Sequence, residues 1–408
     1  MKRRTLWNRR DFVQIMGCSS LGVMSSHVPW LPGTSRPKSQ GTPLFAYVGY
    51  SRKDQGSHAA GHSEHGIQVF AIEGEHWTPT QAVASDHPSF LTLHPTQRFL
   101  YVVNEIDSYQ NLPSGAIEAY GIDPHDGRLT LLNRQPLSLS GTMPRHLAVS
   151  PDGRSLVVAV HGGGAYNVLP IEANGHLGRV SGIVKETGSG PDREHQEASH
   201  PQMVMFDPTG HHFLGADLGN DRLSVFTLAE GKLVVSGRSE MQPGSGPRHI
   251  ALHPSGHLLF VANELDASVS CYGYDATSGS IRQRLQHVTM PLNGRREQKN
   301  VAMTMHPSGQ FLYTSNCCGR PDNFDADGIE VWRIDSSTGA LKHIQFQNEG
   351  LRFLHTMNMA SDGTSLLVLS EERGSVLRLR IDPTSGHLGR PVQVAKVPSP
   401  RSVVLKYL

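Results

Sequence analysis

Short apolar runs alternate with proline- and glycine-containing turns along most of the chain. One repeated pattern is an apolar run, a turn, and a second apolar run, as at residues 90–93, 94–95 and 100–103. It returns around five later turns: Pro151-Asp152-Gly153, Pro208-Thr209-Gly210, Pro254-Ser255-Gly256, Pro307-Ser308-Gly309 and Ser361-Asp362-Gly363. Apolar runs of this length with such boundaries predict β-strands joined by tight turns.

A second repeat consists of an alternating strand followed by an acidic or glycine turn, as in residues 329–335 before Thr338-Gly339. Its seven copies are 46 to 60 residues apart and centre on Phe70, Tyr120, Leu169, Phe226, Tyr272, Trp332 and Leu379. A period near fifty residues with four strands per unit is typical of propeller blades. The sequence therefore predicts an all-β fold, a seven-bladed β-propeller with four-stranded blades.

The two ends of the repeat region complement each other. The region opens with a second-strand run at residues 45–48 and closes with a first-strand run at residues 402–405. Pairing these runs completes the first blade and leaves no unpaired inner edge. We therefore predict one propeller domain over residues 44–408. The alternative, a tandem array of small β-sandwiches, requires Greek-key spacing and linkers that the sequence does not contain.

The first 31 residues differ from the repeats and are typical of a twin-arginine export signal. Arg9-Arg10 precedes a weakly apolar run at residues 15–31, and residues 32–43 are typical of a linker. Asn8 stands where Ser or Thr is usual, and no alanine precedes Ala46, so the cleavage site stays open. Lipidation at Cys18 is an alternative. We predict a periplasmic or otherwise exported protein whose mature form has no membrane segment.

Composition excludes several classes of partner. The 37 Lys and Arg residues balance 36 Asp and Glu, which disfavours nucleic acid and anionic membranes as partners. Four cysteines cannot build a dense disulfide framework, since Cys18 lies in the leader and Cys317 and Cys318 are neighbours. No HExxH, CxxC or GxSxG motif occurs. We therefore expect no cofactor and no metal.

Ionisable residues concentrate at one end of the predicted channel. In a propeller, the start of strand one and the end of strand two lie on the same rim, beside the central channel. The seven blades place there Ser89 with Glu105, Arg145 and His146 with His161, His200 and Gln202 with Asp217, Arg248 and His249 with Glu264, Lys299 and Asn300 with Asn316, His355 with Glu371, and Arg401. This predicts an axial pocket for a polar small molecule. Solvated rim residues and Arg–Glu pairs that brace the blades are the alternative.

Four segments carry a resemblance to a known family: GSGPRH at 244–249, LYVVNE at 100–105, HGGG at 161–164 and ADLGNDR at 216–222. Over residues 44–408 the chain resembles the lactonase family, which includes 6-phosphogluconolactonases and enzymes similar to carboxymuconate cyclases. The resemblance implies a catalytic set of His200, Arg248 and Glu264. Ten further residues are then candidates for substrate binding: Glu105, Arg145, His146, His161, Asp217, His249, Lys299, Asn316, Arg320 and His355.

This chain departs from the family pattern at two places. His200-Pro201-Gln202 stands where relatives often have His-x-His, and Cys317 stands where they usually have arginine, so Arg320 is expected to substitute. The favoured hypothesis is hydrolysis of a small, polar, anionic lactone. His200 or His249 would activate water, Arg248 would bind the anionic groups, and Glu264 would orient Arg248 or the water. The alternatives are a carboxymuconate-type cycloisomerase and a non-catalytic exported propeller that binds a ligand or a protein.

Overall fold

The computed structural model describes residues 43–51, 65–229, 231–291, 299–317, 327–352 and 354–407. The predicted signal, Cys18, nearly all of the linker and Arg320 lie outside these residues. The described part of the chain forms 28 strands in seven antiparallel sheets of four. It contains no helix long and apolar enough to span a bilayer.

The strands follow the chain in blade order from the second blade onward. Blade 2 contains β4 (Pro88–Leu93), β5 (Phe99–Asn104), β6 (Ala116–Ile122) and β7 (Leu129–Pro136). Blade 3 contains β8 (Pro144–Val149), β9 (Ser155–Val160), β10 (Ala165–Pro170) and β11 (Gly182–Lys185). Blade 4 contains β12 (Pro201–Phe206), β13 (His212–Asp217), β14 (Arg222–Ala229) and β15 (Lys232–Glu240).

The same order continues to the end of the chain. Blade 5 contains β16 (Pro247–Leu252), β17 (Leu258–Asn263), β18 (Ser268–Asp275) and β19 (Ser280–Thr289). Blade 6 contains β20 (Lys299–Met305), β21 (Phe311–Cys317), β22 (Gly328–Ile334) and β23 (Leu341–Gln347). Blade 7 contains β24 (Leu354–Met359), β25 (Ser365–Ser370), β26 (Ser375–Arg380) and β27 (Val392–Lys396).

Blade 1 is assembled from both ends of the described chain. It contains β1 (Pro43–Ser51), β2 (His65–Glu73), β3 (His76–Ala84) and the last strand, β28 (Pro400–Tyr407). β1 and β28 are antiparallel, with Val48 opposite Val403 and Ala46 opposite Leu405. The predicted seven-bladed fold and its closure by the terminal strands are therefore confirmed.

The apolar core lies between neighbouring blades. The second strands β5, β9, β13 and β17 are buried at every residue, because both faces of a blade meet another blade. Between blades 1 and 2, Tyr47 and Ile67 pack with Leu100 and Tyr120. The Tyr47 hydroxyl donates to the Gly127 carbonyl of the next blade, 2.9 Å away. Each interface thus combines apolar packing with hydrogen bonds that fix one blade against the next.

The repeated His-Pro turns also connect neighbouring blades. His253 accepts a hydrogen bond at Nδ1 from the Ser255 N–H, and its Nε2 donates to the Gly309 carbonyl in the next blade. His94 and His306 make equivalent contacts with Gly153 and Gly363. The apolar-run, turn, apolar-run pattern therefore recurs because its turn holds two blades together.

Candidate active site

A β-bulge near the start of the first strand positions the polar side chains of each blade. The pairing register shifts at this point in all seven blades. A bulge leaves one residue unpaired and redirects its side chain. In five blades the unpaired residue directly follows a proline and is polar: Ser89, Arg145, Gln202, Arg248 and Arg401.

In four of these five blades, the residue before the proline has a left-handed backbone. These residues are His87, Met143, Gly246 and Ser399, with φ between 41° and 64°. A residue before proline is restricted sterically, and a positive φ is costly for any residue other than glycine. In the three blades where this residue is not glycine, the surrounding structure therefore holds a strained entry into the strand. This entry directs the next side chains toward the axis.

The bulge residues line one pocket. Its space, with part of the open mouth, is about 570 Å³, and ten residues form its wall: Ser89, Phe90, Glu105, Arg145, His146, Gln202, Arg248, His249, Thr356 and Arg401. Three guanidinium groups and two imidazoles therefore meet in a space suited to a small molecule.

Each pocket arginine is paired with a carboxylate. Nη1 of Arg145 lies 2.5 Å from Oε1 of Glu105, and Nη2 of Arg401 lies 2.9 Å from Oε1 of Glu371. Both pairs cross between blades. Arg248 pairs with Glu264 of its own blade.

Lys299 adds a fourth cationic side chain to this group. Its Nζ lies 3.4 Å from Oε1 of Glu264, the partner of Arg248. Four cationic side chains therefore face three carboxylates, which leaves a local excess of one positive charge.

Glu264 is ionised at neutral pH. Burial raises the pKa of this carboxyl, but Arg248 and Lys299 outweigh burial and lower it to about 2. Its Oε2 already contacts Arg248 and its Oε1 lies near Lys299, so these contacts suit Glu264 to hold Arg248 in place.

The two pocket histidines are uncharged at neutral pH. Burial lowers the pKa of His146 to about 3. The pKa of His249 is lowered to about 3 by burial and, secondarily, by Arg248 and His146. The His146 ring lies against Phe90, with 3.9 Å between ring centroids. Both imidazoles can therefore accept a proton in the pocket.

His200 lies behind the pocket wall and is not among the ten lining residues. Its Nε2 lies 2.9 Å from Oε1 of Glu197, and its Nδ1 lies 3.2 Å from the His161 carbonyl oxygen. The His161 ring stacks on it at 4.5 Å. Nδ1 of His161 is 3.1 Å from Nε2 of Gln202, which lines the pocket. His200 thus reaches the pocket through two intervening side chains.

Two predicted binding residues are buried inside their blades. Asp217 accepts hydrogen bonds from the backbone N–H groups of His200 at 2.6 Å and Gly219 at 3.0 Å. Asn316 donates to Glu330 at 2.9 Å. Successive residues of a strand point to opposite sides. Each of these two residues therefore lies one position before the channel-facing residue of its own blade. Glu105 is the channel-facing residue in blade 2.

The remaining predicted residues have different positions. His355 lies in β24, and Arg320 lies outside the described residues. Lys299 reaches the site through Glu264. Within the described residues, no group of three or more His, Cys, Asp or Glu side chains could hold a metal ion.

Five residues of the pocket wall were not given a catalytic or binding role from the sequence, although the first three were placed on the rim of the channel: Ser89, Gln202, Arg401, Phe90 and Thr356. Three of them follow a proline at the start of a first strand, as Arg145 and Arg248 also do. That repeated proline is a signal that would have singled them out among the rim residues as binding candidates. Thr356 follows no proline, and Phe90 is indistinguishable from a core residue in the sequence.

Comparisons with known proteins identify the family. A family profile described as "Lactonase, 7-bladed beta-propeller" matches residues 46–405. A 6-phosphogluconolactonase of Bacillus subtilis (strain 168) is 27% identical over 368 residues, covering 90% of this chain and 99% of that protein. A 6-phosphogluconolactonase of Formosa agariphila is 28% identical over 333 residues, covering 79% of this chain and 90% of that protein.

A solved structure gives the same result. The periplasmic gluconolactonase of Pseudomonas aeruginosa is similar to this chain with a TM-score of 0.76 and 25% identity. The similarity covers 89% of this chain and 99% of that one. The chain belongs to the lactonase family of seven-bladed β-propellers.

Proposed function

We propose that the chain is an enzyme that hydrolyses a small, polar, anionic lactone in the axial pocket, in the manner of 6-phosphogluconolactonases. The observation that carries the proposal is the meeting of three arginines with two uncharged histidines in one pocket. The relatives named 6-phosphogluconolactonase and gluconolactonase support lactone chemistry.

Arg248 has the central role in the proposed reaction. Water adds to the lactone carbonyl carbon, and negative charge develops on the carbonyl oxygen. The Arg248 guanidinium stabilises this oxyanion, and Glu264 and the bulge fix its orientation. The bond from the carbonyl carbon to the ring oxygen then breaks, and a proton moves to that oxygen to give a hydroxy acid.

We assign the general base to His249. It lines the pocket beside Arg248 and is uncharged, so it can accept a proton from the attacking water. Burial is the main cause of its lowered pKa, and an anionic substrate offsets the smaller contribution of Arg248. His200 was the first candidate from the sequence. Its ring nitrogens already face Glu197 and the His161 carbonyl, so we assign it the orientation of His161 and Gln202.

The charge balance bears on the substrate class. An excess of one positive charge among Arg145, Arg248, Arg401, Lys299 and their carboxylates suits a substrate with one negative charge better than a phosphate dianion. An exported enzyme would also be separated from cytosolic sugar phosphates. We therefore propose an unphosphorylated lactone that carries one carboxylate.

A substrate panel tests the function directly. We expect the purified protein to release acid from lactones, with the highest kcat/KM for a lactone bearing a free carboxylate, a lower value for neutral glucono-δ-lactone, and the lowest for 6-phosphogluconolactone. Turnover of a muconate without lactone hydrolysis would instead establish the cycloisomerase alternative. Binding of these ligands with no turnover of any of them would establish the non-catalytic alternative.

The pH profile and two matched variants test the assignment of the base. Because His249 is uncharged in the free protein well below pH 5, we expect a flat kcat/KM between pH 5 and pH 8. We expect His249→Asn to lower kcat by about a hundredfold or more, and His200→Asn to lower it less. An acid limb near pH 6.5, or a larger loss in His200→Asn, would exclude His249 as the base.

We further propose that residues 1–31 are a twin-arginine signal and that the mature protein is periplasmic. The Arg9-Arg10 pair and the weakly apolar run support this proposal, and a similar protein is named a periplasmic gluconolactonase. Replacing both arginines by lysine should retain the protein in the cytoplasm. Unchanged export of that variant would reject the twin-arginine route.

A further inference from the structure

Three buried polar atoms at one corner of the pocket have no hydrogen-bond partner. They are Oγ of Ser89, Nε of Arg145 and Nδ1 of His146. All three residues line the pocket, and His146 is only 9% exposed. A buried polar group without a partner costs about 1–3 kcal/mol. Three such groups at one corner indicate a site built for a ligand group or a water molecule.

Two neighbouring blades form this corner. Ser89 is the bulge residue of β4 in blade 2, and Arg145 and His146 lie at the start of β8 in blade 3. Arg248 lies on β16 in blade 5. The corner is therefore distinct from the Arg248–Glu264 pair, although both face the same pocket.

The chemistry of the three atoms favours an uncharged partner. The Arg145 Nε–H donates, the Ser89 hydroxyl donates or accepts, and the uncharged His146 ring offers a donor or an acceptor according to its tautomer. Glu105 already balances the charge of Arg145 through Nη1, and its carboxylate repels a second anion. A hydroxyl group both donates and accepts, so it satisfies this corner without adding charge.

We propose that Ser89, Arg145 and His146 form a hydroxyl-binding subsite that selects hydroxylated lactones over their deoxy analogues. The subsite rests on the proposed lactone hydrolysis, and it positions the substrate while Arg248 and His249 act on the carbonyl. A site built to hydrogen-bond a hydroxyl discriminates strongly against an analogue that lacks it, because the polar groups of the site then stay unpaired.

The kinetic test compares glucono-δ-lactone with δ-valerolactone, which has the same ring and no hydroxyl groups. We expect Ser89→Ala to lower kcat/KM for glucono-δ-lactone by about 10- to 100-fold, following the cost of one unpaired polar group. We expect δ-valerolactone to be affected less than about twofold on the same grounds. An equal loss on both lactones would overturn the subsite. The exposed turn variant Ser278→Ala is the matched control for loss of a hydroxyl.

A binding test separates failure of the subsite from failure of the proposed function. Calorimetry measures the affinity of wild type and Ser89→Ala for D-gluconate and hexanoate, which are both six-carbon carboxylates. We expect wild type to prefer gluconate and Ser89→Ala to lose this preference. If no lactone is hydrolysed but the preference is lost in the variant, the proposed function fails and the subsite stands. An unchanged preference would mean that the corner holds only water.

Thermal unfolding excludes a merely structural role for Ser89. Because its hydroxyl is unpartnered, we expect Ser89→Ala to unfold at the wild-type temperature or above it without ligand. The increase in unfolding temperature caused by gluconate should shrink. A lower unfolding temperature without ligand would assign the hydroxyl to the fold and overturn the subsite.

Discussion

Replacement of Arg248 by methionine is expected to lower kcat/KM for the lactone substrate by about a thousandfold, the effect of removing one oxyanion donor from a preorganised site. The Arg248 side chain is only 19% exposed, and Glu264 and the bulge hold it in place. Methionine has a similar length and fills the space without donors or charge. The rate of acid release, measured by titration at constant pH, gives the value directly.

The same substitution disturbs the fold, so a second variant must separate the two effects. Without Arg248, the buried Glu264 carboxylate keeps only Lys299 as an ion-pair partner among the described residues. A buried charge left without any partner destabilises a protein by about 3–5 kcal/mol, and the loss of one of two partners costs a part of this. We therefore expect Arg248→Met to unfold at a lower temperature, and Arg248→Met/Glu264→Gln to recover most of that loss while remaining inactive.

The double variant makes the assignment falsifiable. If it recovered a tenth or more of the wild-type kcat/KM, Arg248 would act only as the partner of Glu264. Arg248→Lys is an informative intermediate, because lysine keeps the charge and loses the planar fork of the guanidinium. We expect it to unfold near the wild-type temperature and to stay well below wild-type activity.

The blade repeat was predictable from the sequence because every blade needs the same turns. Gly309 has a φ of 75°, and the neighbouring His306 bonds both its own turn and the next blade. Because of these requirements, proline, glycine and histidine recur at the same positions in each repeat. The number of blades could therefore be inferred by counting the repeats. Closure was predictable too, since residues 45–48 and 402–405 are each half of a blade's inner pair.

Which side chains face the pocket was harder to predict from the sequence, because it depends on a register shift of one residue in each blade. A β-bulge changes the direction of every side chain after it, and no single residue type marks a bulge. The end of strand two therefore suggested Asp217 and Asn316, whereas the channel-facing position is one residue later. The resemblance placed His200 in the catalytic set. His200 precedes the proline of its first strand and His249 follows its own proline by two residues, and only the later position lines the pocket.

The second large effect concerns closure of the ring. Deleting β28 by ending the chain after Ser399 is expected to abolish cooperative folding or to lower the unfolding temperature by more than about 10 °C, since even one kcal/mol shifts a chain of this size by about 2 °C. The deletion leaves seven residues of β1 without their β28 partners and removes a buried valine, Val403.

β28 also joins its neighbours on both sides. Its Ser402 hydroxyl accepts from the Leu91 N–H in blade 2 at 3.1 Å, and its Val403 carbonyl accepts from Asn358 in blade 7 at 2.7 Å. Deletion therefore exposes β1 as the inner edge of blade 1 and removes contacts with blades 2 and 7. Circular dichroism during heating, together with the soluble yield, measures the loss.

A circular permutant is the matched control, because it keeps every strand and moves only the chain break. Tyr407 pairs with Pro43, so a short Gly-Ser linker can join these ends, and new termini can open the exposed turn between Thr277 and Ser278. We expect the permutant to unfold cooperatively within about 5 °C of wild type, since its cost is limited to one exposed turn. A truncated chain as stable as the permutant would refute the claim that the pairing of β28 with β1 stabilises the propeller. If only the permutant is stable, the stability of the propeller depends on the pairing of its two terminal strands.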